Sequence, residues 1–449
     1  METKKYLKWY QKAAYGSGDF GGNFVYTFIT SFIMVYMTDT VGLNSLIIGN
    51  LILVSKLLDG VSDVIFGSLL DRTHSKMGKA RPWLFWSTFP LAICEILLFA
   101  VPEMGETLQY AYFFVIYVLL NVGFYTAQNI SYSSLTALAT RNGNERVQMG
   151  SIRFIFASAA ALIISTVTMN LVQAFGGGVT GWRTVAIMYA AIMMICYMLV
   201  VFFVRELPEE ETAVKTQAAA AQGNPIQNVK YLFANRYYLL ILAYYLLYYI
   251  TRSVTSGTGI YFCRDILGNS SLLGVLTLAT MLPAMAGLTV TPLLTKKFTI
   301  HKVTTVGLWC GLGSTILMAV AGYQKNVPLL FAFLVLQALC ICPMTGSLNA
   351  IIADAAHYTY LKHGAHIEGT MYSCSSVGQK LGGGIGSALL GWLLAFGHYN
   401  GSLEVQTPET LGVISFTYLI IPVIIVAVLA VIVTFMDVRK ANEKLEKQQ

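Results

Sequence analysis

The chain is a succession of apolar runs separated by short polar clusters. Twelve runs stand out, at 14–39, 46–70, 83–102, 108–138, 150–174, 183–204, 237–264, 271–295, 304–323, 327–352, 370–396 and 411–436. A bilayer core needs about 20 apolar residues per helical crossing. Backbone in lipid must satisfy its hydrogen bonds internally, so helices are the default. A β-barrel would show short alternating segments. These runs are long and continuous. The pattern predicts an all-α membrane protein with twelve transmembrane helices.

The polar clusters orient the spans. Of the 29 lysines and arginines, 22 fall in the segments that are cytoplasmic if both termini are inside. The outer loops hold only Arg183, Arg264 and Lys325. That asymmetry predicts a multi-pass protein of the cytoplasmic (inner) membrane with both termini cytoplasmic. One long polar stretch, 205–236, follows the sixth run and includes RELPEEETAVKTQAAAAQGNPIQN. It reads as a cytoplasmic linker between a six-helix half at 1–204 and another at 237–436, with a tail at 437–449. A basic cluster recurs at the equivalent place in each half, after the second run and in TKKFTIHK (295–302). Two parallel six-helix halves are the major facilitator plan, with substrate held at mid-membrane between them.

Composition narrows the function. Hydrophobic residues make up 56% of the chain and charged ones 11%, less than half the charge usual in soluble domains. That excludes a soluble enzyme, a disordered chain and a nucleic-acid binder. The net charge of +7 is the inside bias already described. All seven cysteines lie in apolar stretches and read as small core residues. The start, METKKYLKWYQK, has no apolar signal-peptide core. No nucleophilic triad, P-loop or zinc spacing is present, so no cofactor is expected and transport must draw on an ion gradient.

Charges inside the apolar runs carry the chemistry. Each costs about 2.5–3.5 kcal/mol at the bilayer centre on insertion scales. The second run reads VSKLLDGVSDVIFG and places Lys56, Asp59 and Asp63 on one helical face, with Ser62 beside it. Two carboxylates and one ammonium leave a charge of −1, which a monovalent cation balances. Na⁺ takes oxygen ligands, and Asp59, Ser62, Asp63 and Thr126 supply them. A proton serves equally, because neighbouring carboxylates raise one another's affinity for it. Lys380, among glycines in SVGQKLGGGIGS, sits too deep to snorkel easily. Arg153 and Arg252 are further intramembrane cations. Glu95 stands alone and reads as structural or solvated. His357, His363 and His366 read as solvated loop residues, not a metal site.

Four stretches resemble the glycoside–pentoside–hexuronide:cation symporter family. They are GSGDFGGNF (16–24), YMTDTVGL (36–43), SKLLDGVSDVIFGSLLDRTHSKMGKARPW (55–83) and IADAAHYTYLKHGAHIEGTMYSCSSVGQKLGGGIG (352–386). The resemblance covers nearly the whole chain, in order. It implies a sugar symporter and no enzyme, working by alternating access. It implies a cation site (Na⁺ or H⁺) at Asp59, Ser62, Asp63 and Thr126. It implies a sugar site that includes Arg153 and Lys380, to which we add Arg252. It also implies a cytoplasmic gate at Asp71, Arg72, Lys79 and Arg81. Two aspartates that hold galactosyl hydroxyls in a melibiose-transporting member appear here as Asn23 and Asn129, and a tryptophan appears as Ser133. A galactoside is therefore not expected. Loss of two carboxylates beside Arg153, Lys380 and Arg252 leaves a more positive cavity. The expectation is an acidic sugar, a hexuronide or a sulfonated sugar, gripped by charge-assisted hydrogen bonds. A neutral pentoside or glucoside, and a proton-driven exporter on the same scaffold, are the alternatives.

Overall fold

Each of the twelve predicted runs falls on a helix. The chain is seen in a computed structural model that describes residues 5–447, apart from 74, 141, 208–224, 365–367 and 404. Among the described residues there are helices and no strands. They are α1 (Trp9–Val35), α2 (Ser45–Asp71), α3 (Arg81–Leu98), α4 (Glu106–Val118), α5 (Thr126–Leu138), α6 (Gly143–Ala174) and α7 (Gly178–Phe203). After them come α8 (Pro225–Ala234), α9 (Arg236–Tyr261), α10 (Leu272–Lys297), α11 (Ile300–Tyr323), α12 (Val327–His363) and α13 (Glu368–Phe396). The last are α14 (Pro408–Ser415), α15 (Ile421–Thr434) and α16 (Val438–Glu446). Wider π-helical turns extend α1 and α9 and join α4 to α5 and α14 to α15.

Nine helical stretches among the described residues are long and apolar enough to cross a membrane. The other three predicted runs lie on α3, α9 and α13. Those helices are diluted by polar or small residues: Glu95 and Pro90 in α3, serine, threonine and tyrosine in α9, glycine and serine in α13.

The described chain forms two compact units. The first comprises Met1–Val214, Ser256–Thr277 and Ser387–Leu411; the second comprises Lys215–Thr255, Leu278–Gly386 and Gly412–Gln449. In the first, α1 lies along α6 and α7. Its glycines make that approach possible: a Cβ on Gly21 would lie 2.7 Å from the Cβ of Cys196. Below them Phe28 stacks on Phe99, ring centroids 4.1 Å apart, with Trp182 and Tyr189 against the same ring. In the second unit, Gly378, Gly382 and Gly386 recur every fourth residue and form one face of α13. That face packs on α9, and a Cβ at Gly386 would meet the Ile250 carbonyl at 2.6 Å. The glycine run around Lys380 is thus a helix-packing seam.

Polar contacts fasten the helix ends on the side predicted to be cytoplasmic. Glu206, the second residue of the predicted linker, accepts hydrogen bonds from the backbone N–H groups of Lys79 (2.7 Å), Ala80 (2.9 Å) and Arg81 (3.0 Å). Its carboxylate caps the start of α3, where a helix has unpaired donors and favours negative charge. Residues 208–224 of that linker lie outside the described residues.

Glu145 anchors the N-terminal segment in the same way. It accepts from Thr140 Oγ1 (2.6 Å) and from the backbone N–H groups of Tyr6 (3.1 Å) and Leu7 (3.2 Å), with Lys12 Nζ at 3.3 Å. Burial pushes its carboxyl up, but these hydrogen bonds outweigh burial and hold it below the ordinary carboxylate range. A depressed folded-state value contributes stability above the unfolded pKa of about 4.3. That stability is lost as pH falls through the folded value. Glu145→Gln is expected to lower the melting temperature at neutral pH, and its gap from wild type should close below about pH 4. Melting curves across pH test this; a constant gap would mean that the carboxylate charge is irrelevant.

Candidate functional site

The predicted helix 2 residues come together with the α4–α5 junction inside the first unit. Asp59, Ser62 and Thr126 are buried, at 5%, 6% and 2% exposure. Asp63, one turn further along α2, is half-buried. Thr126 Oγ1 lies 2.6 Å from Asp59 Oδ1 and donates to it. Ser62 donates to the Asp59 carbonyl at 2.9 Å and stands 3.4 Å from Thr126 Oγ1. Lys56 Nζ donates to Asn121 Oδ1 at 3.2 Å and faces Asp59 Oδ2 at 3.9 Å. The turn at Leu119–Tyr125 is π-helical. Such turns frequently mark functional sites, and this one delivers Asn121 and Thr126 to α2.

A second charged cluster forms where α1, α5 and α6 meet. Arg153 on α6 holds Asp19 on α1 with two parallel bonds, Nε to Oδ2 and Nη2 to Oδ1, the latter 3.2 Å. Its guanidinium lies 4.6 Å from the Tyr132 ring centroid and 5.9 Å from that of Tyr15. Asn23 follows Asp19 by one turn. Its amide donates to the Asp19 carbonyl (2.8 Å) and accepts from Thr27 (3.1 Å). Asn129 and Ser133 are exposed and lie three residues before and one after Tyr132 on α5.

Residues 14–440 match the MFS/sugar transport protein family. The chain belongs to that family. It is 28% identical to the isoprimeverose transporter of Lactiplantibacillus pentosus over 447 residues, which is 98% of this chain and 91% of that one. It is 27% identical to the putative glycoside/cation symporter YagG of Escherichia coli K12, over 98% of this chain and 94% of the relative. The fold is similar to that of the solved nucleoside transporter NupG, with a TM-score of 0.64 at 15% identity, covering 95% of this chain and 98% of the other. These relatives are transporters. The chain is therefore a multi-pass membrane transporter of major facilitator type and not an enzyme, and the symporter-family resemblance of its motifs holds.

Within this MFS transporter the other predicted residues are spread out. Arg252 on α9 is exposed and Lys380 on α13 half-buried, both in the second unit. Of the gate residues, Arg72 is exposed. Arg81 donates from its guanidinium to the carbonyls of Val201 (2.6 and 2.9 Å) and Met77 (3.2 Å). Lys79 meets Glu206 through its backbone. The Asp71 side chain and His366 lie outside the described residues. Among the described residues no group of three or more His, Cys, Asp or Glu could hold a metal ion.

Three features of the MFS transporter escaped the sequence reading. Asp19 lies within GSGDFGGNF, and its one-turn spacing from Asn23 is the signal for it in the sequence. Asp39, also within a quoted motif, binds Arg264 Nη1. Arg264 also donates to Asp265 Oδ1 (2.7 Å) and to the Tyr399 hydroxyl (2.6 Å), and that hydroxyl donates to Asp39 Oδ1 (2.8 Å). All four belong to the first unit. Glu95 is fully buried, not solvated, and neither carboxyl oxygen has a hydrogen-bond partner among the described residues.

Proposed function

We propose that this protein is a cation-coupled glycoside symporter of the cytoplasmic membrane, with both termini inside and with halves 1–204 and 237–436 working by alternating access. The observation that carries the reading is a pair of polar clusters, one buried and one half-buried, in a membrane-spanning helical unit. One is an acid–hydroxyl group at Asp59, Ser62 and Thr126, with Asp63 one turn on; the other is a carboxylate–guanidinium pair beside aromatic faces. Intramembrane ionisable groups mark ion and substrate paths. The first suits a small cation. The second suits a sugar, whose hydroxyls pair with carboxylate and guanidinium, while Tyr132, buried between Tyr15 and Arg153, holds the guanidinium in place. The names of the relatives, an isoprimeverose transporter and a putative glycoside/cation symporter, support the same class.

The pairing of Arg153 with Asp19 changes the substrate argument. The expectation of an acidic sugar rested on uncompensated cations, Arg153 among them. A carboxylate held in two bonds cancels that charge locally. The site therefore favours a neutral glycoside, a pentoside or glucoside, over a hexuronide or sulfonated sugar. Thermal stabilisation of purified protein by neutral and anionic glycosides is the test, since a ligand that binds only the folded state raises the melting temperature. Neutral glycosides are expected to stabilise. Stabilisation by glucuronides alone would restore the acidic-sugar reading.

A further inference from the structure

We propose that Asp39, Arg264 and Tyr399 form a latch on the outer side of the transporter, a reversible tie between α1, α9 and α13 that must break before sugar enters from outside. This inference rests on the symporter reading, which places these helix ends outside. Asp39 lies in the π-helical extension of α1, Arg264 and Asp265 lie in that of α9, and Tyr399 follows α13. Arg264 is the hub. Its guanidinium binds Asp39 Oδ2 and donates to Asp265 Oδ1 at 2.7 Å and to the Tyr399 hydroxyl at 2.6 Å. That hydroxyl donates to Asp39 Oδ1 at 2.8 Å, so the ring of bonds closes on itself. One turn back along α9, the Tyr261 hydroxyl lies 3.1 Å from Thr38 Oγ1. The tie joins both proposed halves: Asp39 comes from 1–204, its partners from 237–436. Yet all of them fall in the first compact unit, because α9 and α13 each change unit along their length, at Ser256 and at Ser387.

The contacts behind the latch suit a seam that parts. Ser31 Oγ of α1 and Ser256 Oγ of α9 are 3.2 Å apart. From α2, Ser45 donates to the Gly391 carbonyl at 3.0 Å, and Trp392 donates to Asn50 Oδ1 at 2.8 Å. Glycines let the backbones meet. A Cβ at Gly49 would lie 3.1 Å from the Ala388 carbonyl oxygen, and one at Gly401 would lie 2.7 Å from that of Thr38. Water replaces each of these hydrogen bonds when the faces separate, so parting them costs little. The ion pair follows the same logic. Arg264 is 31% exposed and Asp39 13%, so water reaches both and solvates them on opening. A partly exposed pair contributes modestly, as a tie broken in every cycle requires. A cap serving structure alone needs no residues from both halves.

The test has two readouts, and the first needs no sugar. Ser256→Cys, two turns before Arg264, is labelled on intact cells with an uncharged, membrane-impermeant polyethylene-glycol maleimide. The chain without that substitution gives the background from the seven native cysteines. Labelling is expected to be slow, and to rise about 10-fold or more when Asp39→Asn or Arg264→Gln breaks the tie. Tyr399→Phe, which spares the ion pair, should raise it less. Lys325→Gln removes another outer charge and should leave it unchanged. Equal rates with and without the tie, or an equal rise in Lys325→Gln, overturn the latch. The second readout staples the seam. Ser31→Cys with Ser256→Cys brings two sulfurs near bonding distance. Oxidation is expected to stop uptake of p-nitrophenyl β-xyloside and p-nitrophenyl β-glucuronide, and reduction to restore it. Full uptake by the cross-linked protein overturns the proposal and leaves the symport reading standing; a pair that fails to cross-link overturns the closed seam. A chain that takes up neither probe when reduced counts against the symport reading, and the labelling rates still decide the latch.

Discussion

Asp19→Asn is expected to reduce glycoside uptake about 100-fold while the protein still reaches the membrane. Truncating one partner of a hydrogen-bonded charge pair at a binding site costs about 2–5 kcal/mol of affinity, much of it from leaving the other charge unpaired. Asp19 and Arg153 are 20% and 25% exposed, which places the cost at the low end, and about 1.4 kcal/mol is tenfold in rate. The loss should be smaller for an anionic glycoside than for a neutral one, because its own charge replaces the missing carboxylate beside Arg153. Arg153→Met should be as damaging for the neutral substrate. The double mutant should fall short of the sum, as expected for residues in direct contact. Uptake rates for the two single mutants and the double mutant measure this. A wild-type rate in Asp19→Asn would remove the pair from the substrate path.

Asp59→Asn and Asp63→Asn should abolish accumulation and leave downhill entry. At a potential of 100 mV one co-transported charge is worth about 2.3 kcal/mol, or roughly 50-fold accumulation. With either acid of the pair removed the steady-state ratio should fall to about 1, while exchange of sugar across the membrane continues. The two variants separate differently in stability. Asp59 is buried against Thr126 and Lys56, so its replacement leaves the Lys56 ammonium without that carboxylate and should lower the melting temperature. Full concentrative uptake in both mutants would refute the assignment of these acids to coupling.

Hydrophobic patterning located the helices that carry the twelve apolar runs, because the length and apolarity needed to cross a membrane are read along the chain; it did not show α8 in the linker or α16 in the tail, which are short and broken by polar residues. It did not show the π-helical turn at Leu119–Tyr125, since an extra residue in a turn barely disturbs an apolar run. Spacing identified the α2 face, where Lys56, Asp59 and Asp63 lie within two turns. It missed Asp19, because a single aspartate in a glycine-rich stretch has no local partner. Its meaning depends on Arg153, which is 134 positions away. The Asp39–Arg264–Tyr399 group is the same case over larger separations, and along the sequence Arg264 reads as a loop residue. The acidic-sugar expectation counted cations along the sequence. The structure shows one of them already matched.

The first unit is assembled from pieces that are far apart in time as well as in sequence. Its largest piece ends at Val214, yet it also needs Ser256–Thr277 and Ser387–Leu411. Asp39 leaves the ribosome long before Arg264 and Tyr399, and Ser45 long before Gly391, whose carbonyl it bonds at 3.0 Å. Until those later stretches arrive, the early helices carry polar groups into the bilayer without their final partners. A chain stopped after the sixth helix would therefore leave Asp39 without Arg264 and Tyr399, and Ser45 without the Gly391 carbonyl.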